Sequence, residues 1–130
     1  MHPFRAAVEK RDVESFPLLL AEDVEFLSPV AFKPYVGRDL VTAILRGVMR
    51  VFDGLHYVNE IHAPGGRDVH LVFKAKVNGR EVHGCDFLHL DENGLIDRFC
   101  VMVRPLSAAN ALADAMTAQF DDIKREAGVA

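Results

Sequence analysis

Between residues 55 and 103 the hydrophobic period of the chain is two, and turn chemistry breaks it three times. The stretches LHYVNEIH, DVHLVFKAKV, EVHGCDFLHL and LIDRFCVMV alternate in character and are separated by PGGR, NGR and DENG. That period sends successive side chains to opposite faces of a strand, and short Gly-bearing links join antiparallel neighbours. The segment therefore predicts a meander of consecutive strands, and the rest of the chain has to cover it.

The flanks are helical. Phe4, Ala7 and Val8, then Val13, Phe16, Leu19 and Leu20, recur at helical spacing, with Asp12 as a cap between two small N-terminal helices. VEFLSPV reads as a first strand stopping at Pro29, and AFKPYVG as a loop. Val41, Ile44, Leu45, Val48 and Phe52 form one stripe on a helix over 39–52. From Pro105 a last helix carries Ala109, Leu112, Ala113, Met116, Phe120 and Ile123 on one side. A chain of 130 residues suits one domain, 1–130. Helices at both ends with strands between predict an α+β domain whose helices pack on one face of a twisted sheet.

Strand parity divides residues 82–90 into Val82, Gly84, Asp86, Leu88 and Leu90 on one face and His83, Cys85, Phe87 and His89 on the other. The last strand divides into Leu95, Phe99, Val101 and Val103 against Ile96, Cys100 and Met102. Both faces are largely apolar, so the face away from the helices needs cover as well. A second copy of the chain, packed on His83, Cys85, Phe87, Cys100 and Met102, is the expected homodimer partner. Asp86 is the anomaly. A carboxylate among such neighbours is costly unless it is hydrogen-bonded or protonated, which makes it the first candidate for chemistry.

Other classes are excluded or disfavoured. A net charge of -4 and a pI near 5.8 give no basis for general nucleic-acid binding. No window approaches the ~20 apolar residues of a membrane span, and MHPFRAAVEKRD has no leader pattern, so a cytoplasmic protein without membrane contact is expected. Two cysteines support neither a disulfide scaffold nor a thiolate zinc site, and free thiols are expected. His56 and His62, like His83 and His89, are six apart, a spacing that offers no metal pincer; no metal or cofactor is expected.

The order of elements, with LLLAEDVEFLSPVAFKPYVGRDLVTAILRGVMRVF and HGCDFLHLDENGLIDRFCVMVRP, resembles the SnoaL-like branch of the nuclear transport factor 2-like superfamily over nearly the whole chain. The resemblance implies a cystatin-like cone: a curved antiparallel sheet wrapping helices on its concave face, a deep apolar pocket, and dimers through the convex face. Relatives include steroid isomerases, polyketide cyclases, dehydratases, epoxide hydrolases and plain binding subunits, so the fold alone does not select an activity.

Residue by residue the resemblance is more selective. Asp86 matches the position where ketosteroid isomerases hold a protonated Asp that donates to the substrate oxyanion. Their general-base position falls on Ser28, and their oxyanion tyrosine on Phe4, which lacks a hydroxyl. The epoxide hydrolase pattern meets Gly84 where it needs an Arg, and the apolar Val101 and Val103 where it needs a second acid. Polyketide cyclases ask only for an Asp in an apolar pocket, acting as acid and base. The implied site is Asp86 assisted by Tyr35 or Ser28, with Phe4, Phe26, Leu71, Phe73, Phe99 and Val101 as walls around a small apolar molecule. The alternative is a binding or assembly domain in which Asp86 is a hydrogen-bonded structural carboxyl. The DENG hairpin is expected to set either Leu90 or Glu92 opposite Leu95, the first placing Cys85 across from Cys100.

Overall fold

The computed structural model describes residues 1–128. Helix α1 (Pro3–Glu9) starts where the His2 ring nitrogen accepts the Phe4 backbone N–H at 3.0 Å, and it buries Phe4, Ala7 and Val8. A single 3-10 turn (Val13–Ser15) leads into the four-residue α2 (Phe16–Leu19). The expected second helix ends before Leu20, which opens strand β1 (Leu20–Leu27). Leu20 is fully buried opposite Ile96, so sheet pairing claims a residue whose spacing also fits the helix.

Four long strands follow the short β2 (Tyr35–Val36) and helix α3 (Arg38–Val51): β3 (Asp53–His62), β4 (Asp68–Val77), β5 (Arg80–Leu90) and β6 (Ile96–Arg104). Helix α4 (Leu106–Glu126) closes the chain. The sheet order is β2-β1-β6-β5-β4-β3. The expected meander is β3 to β6. Its antiparallel character stops at β1, which runs parallel to β6, with α3 and the four strands β2 to β5 between them in the chain. Strand β2 lies in the segment expected to be a loop: Tyr35 pairs with Phe26 and Val36 with Glu25, an edge too short to show a period in the sequence.

Both long helices lie on the concave face. Their close approach depends on Gly47, where a Cβ would stand 2.9 Å from Ile123 Cδ1. Gly84 has a comparable role inside the sheet: a Cβ there would stand 2.3 Å from Phe73 Cζ, so only glycine lets that ring lie across β5.

In the β5–β6 pairing Asp86 faces Val101, Cys85 faces Met102 and Phe87 faces Cys100. Of the two expected registers this continues the one with Glu92 opposite Leu95, and Cys85 is not across from Cys100. Both cysteines are free thiols. An irregularity between His89 and Leu90 shifts the end of the pairing, setting Leu90 against Ile96. Ile96, assigned by parity to the outer face, is consequently fully buried.

The outer face is ordered in rows across the strands. Asn59, Val72, Cys85 and Met102 form one, and Ile61, His70, Phe87 and Cys100 the next. Met102 is 59% exposed and Ile61 52%, so this apolar band meets solvent in the single chain. Among the described residues no helix is long and apolar enough to cross a membrane.

Candidate functional site

The curved sheet does not close completely on its helices. A cavity of about 360 Å³ remains between β-strands, α1, α3 and α4. Phe4, Phe26, Phe73, Phe99 and Val101, all expected as walls, line it. Its aromatic side is held by contacts among those rings: Phe99 meets Phe4 edge-on at 5.0 Å and Phe26 at 5.5 Å. Leu71 does not line it, although it is wholly buried and pairs with Asp86.

Asp86 stands on this wall with 6% of its surface exposed. Tyr57, from β3, donates its hydroxyl to Asp86 Oδ2 at 2.8 Å. To reach from β3 to β5 that side chain must pass over β4, the strand of Leu71, which accounts for Leu71 being sealed from the cavity. Oδ1 has no hydrogen-bond partner among the described residues, yet it is not sealed in. Among the described residues the only fully buried side-chain polar atom without a hydrogen bond is Thr42 Oγ1. The second oxygen of Asp86 therefore opens to the cavity.

Burial governs the protonation of this pair. It pushes the Asp86 carboxyl up to about 7, against the opposing effect of the Tyr57 hydrogen bond, which favours the carboxylate. Burial, and then the neighbouring Asp86 charge, push the Tyr57 phenol well above its ordinary value, so Tyr57 stays a donor. Near neutrality Asp86 is thus divided between a carboxylate and a carboxylic acid. In the acid form, with Oδ2 already accepting from Tyr57, Oδ1 carries a proton into an apolar cavity. On the other side of β5 the Cys85 thiol is pushed up to about 11, chiefly by burial, and remains protonated.

The two expected helpers also line the cavity, but among the described residues neither is hydrogen-bonded to Asp86. Ser28 accepts the Val30 backbone N–H at 3.1 Å, the role of a turn residue after a strand. Tyr35 packs its ring 6.1 Å from that of Phe120. Tyr57 was not among the sequence candidates. Its signal was parity, since an inward tyrosine on β3 needs a partner for its hydroxyl. Its partner lies two strands away, beyond what periodicity conveys. Among the described residues no group of three or more His, Cys, Asp or Glu side chains converges to hold a metal.

Comparison with known proteins adds to this geometry. Residues 2–99 match the SnoaL-like domain family. A crystal structure described as a steroid delta-isomerase from Pseudomonas aeruginosa is 38% identical, with a TM-score of 0.87 over 92% of this chain and 87% of that one. An uncharacterized protein with a cystatin-like fold from Silicibacter pomeroyi DSS-3 is 39% identical, with a TM-score of 0.85 over 92% and 86%. The epoxide hydrolase/cyclase-like enzyme SalBIII of pyran ring formation in salinomycin is 17% identical, with a TM-score of 0.65 over 79% and 86%, a likeness of fold alone. No protein of curated function matches the chain.

Proposed function

The chain belongs to the SnoaL-like domain family, and from that premise we propose that it takes a small, uncharged, apolar carbonyl compound into the concave cavity and acts on it through Asp86. One observation carries this reading: a carboxyl raised to about 7, tied by one oxygen to Tyr57, whose other oxygen opens to the cavity. Near neutral pH such a group both gives and takes a proton, as isomerisation, ring closure or dehydration next to a carbonyl requires. Its proton would meet the substrate oxygen as charge develops there, in surroundings that strengthen the hydrogen bond. The chemistry needs no cofactor. Among the described residues no Lys, Arg or His lines the cavity, which disfavours an anionic substrate.

The relative described as a steroid delta-isomerase makes isomerisation one member of this class. Ser28 at the matching base position, and Phe4 at the matching tyrosine position, argue against a cycle shared between two carboxyl groups. The same fact supports a second reading, a binding protein. Asp86 is the only carboxyl on the cavity wall among the described residues, and Ser28 is engaged by the Val30 N–H. A ligand would then be held at Asp86 without turnover. In either reading a homodimer through the outer face, with Cys85, Phe87, Cys100 and Met102 at its centre and His83 at its border, covers the apolar rows. The cytoplasm is the compartment proposed.

Proton exchange separates the two readings. A panel of cyclic ketones and 1,3-diketones is incubated with the protein in D2O, and loss of the α-proton is followed by NMR. Under the catalytic reading wild type accelerates exchange for at least one compound, and Asp86→Asn loses at least a hundredfold of that acceleration. Saturable binding with exchange no faster than in Asp86→Asn supports the binding protein instead.

A further inference from the structure

One end of the outer sheet face carries a row of basic side chains that the cavity does not use. His56 faces Lys74, Lys74 faces His83, and His83 faces Arg104 across consecutive strands. At a strand spacing of about 4.8 Å the row is roughly 14 Å long, with Lys74 and Arg104 about 10 Å apart on either side of His83. Both cations are exposed, and among the described residues neither forms an ion pair. The nearest acids in register, Asp53 and Glu81, stand across from Lys76 in the adjoining row. No carboxylate interrupts the basic row itself.

Lys74 and Arg104 thus stand on one face, two strands apart with His83 between them, in a chain whose net charge is -4. The row also has a shape. Its side chains line a surface groove that extends past the β4–β5 hairpin at Arg80 to Ser107 in the first turn of α4. Lys76, Arg80, Asp53 and Glu81 line it as well, so four cations face two carboxylates and the groove keeps a net positive charge, which fits an anion.

We infer that this groove binds a phosphate group carried on a soluble small molecule, with Lys74 and Arg104 closing on it from either side and His83 beneath. The planar fork of Arg matches two phosphate oxygens, and the ammonium of Lys supplies a mobile point charge. A phosphate has enough oxygens to satisfy both, whereas a monocarboxylate is used up by the Arg. The groove is concave, which suits a soluble phosphate compound and not the flat array of headgroups of a bilayer. The site lies on the face of β5 opposite Asp86 and does not depend on what the cavity does.

Amide NMR titrations with inorganic phosphate and pyrophosphate at fixed ionic strength, with chloride as the control, test the site. The expected result is saturable shifts confined to residues near His56, Lys74, His83 and Arg104. Their dissociation constant is expected below a millimolar, and to weaken at least tenfold in the Lys74→Gln/Arg104→Gln double variant. Asp86→Asn binds as wild type does. Lys74→Gln alone, remote from the Arg104–Pro105 link, is expected to lose at least threefold and keeps the test open if the double variant misfolds. Shifts that chloride reproduces, that do not saturate, or that survive Lys74→Gln in full overturn the inference. Binding to phosphatidic acid vesicles without binding to pyrophosphate also overturns it. So does a Lys74→Gln chain that changes its solution mass and not its phosphate affinity, since the row would then serve a second copy.

Discussion

Replacing Asp86 with Asn should make the protein more stable at alkaline pH, and the gain should vanish in acid. The unfolded chain releases the Asp86 proton near its ordinary value of 3.8, the folded chain at about 7. Between those values the native state holds the extra proton, so the contribution of Asp86 to stability falls as pH rises. At about 1.4 kcal/mol per unit, the folded carboxylate costs roughly 4 kcal/mol once pH exceeds 7, and on the order of 3 kcal/mol of that develops between pH 5 and 8.5. Asparagine has nearly the same shape, retains an acceptor for the Tyr57 hydroxyl, and does not titrate. Tyr57 and Cys85, whose protons the Asp86 charge also holds, are kept protonated chiefly by burial over this range, so the difference between the two stabilities isolates this site. Urea unfolding at pH 5 and at pH 8.5 measures it. The stability of Asp86→Asn relative to wild type should rise by a few kcal/mol from the lower to the higher pH. Parallel pH dependences would refute the reasoning, because a carboxyl that titrates alike folded and unfolded is not a buried, cavity-facing acid.

Two further substitutions probe the scaffold. Gly84→Ala drives a Cβ into the Phe73 ring, which the backbone oxygen of Met102 on the other side prevents from being relieved by a shift of β5; a loss of roughly 1–3 kcal/mol is expected in denaturant unfolding, and an unchanged midpoint would mean that Phe73 has room to move. Phe87→Glu places a charge amid the outer apolar rows, and light scattering at micromolar concentration should find a dimer for wild type and a monomer for the variant; a monomeric wild type would remove the reason for the proposed interface.

The sequence conveys faces better than distances. Strand β4 has the bounds its alternation predicts, 68–77, because ten alternating positions lie between two turn signals. Asp86, Phe99 and Val101 share the cavity wall because parity alone settles that. What parity cannot carry is register at an irregularity, and so Ile96 is buried where alternation turns it outward. Neither can it carry a contact that skips a strand. The hydroxyl that meets Asp86 belongs to Tyr57, across β4, and not to Tyr35, whose place near the pocket mouth follows from the family resemblance. Leu20 fits a helix and a strand equally well by spacing, and only the pairing with Ile96 decides between them.

Carboxyl-resolved 13C NMR of Asp86 as a function of pH bears most directly on the account, because the acid/base role, the neutral hydrogen-bond donor and the apolar substrate all depend on where that group titrates. A midpoint near 7 is expected in wild type and a higher one in Tyr57→Phe, since the hydrogen bond from Tyr57 favours the carboxylate and its loss leaves burial unopposed. A wild-type midpoint near 4, unmoved by Tyr57→Phe, would contradict it.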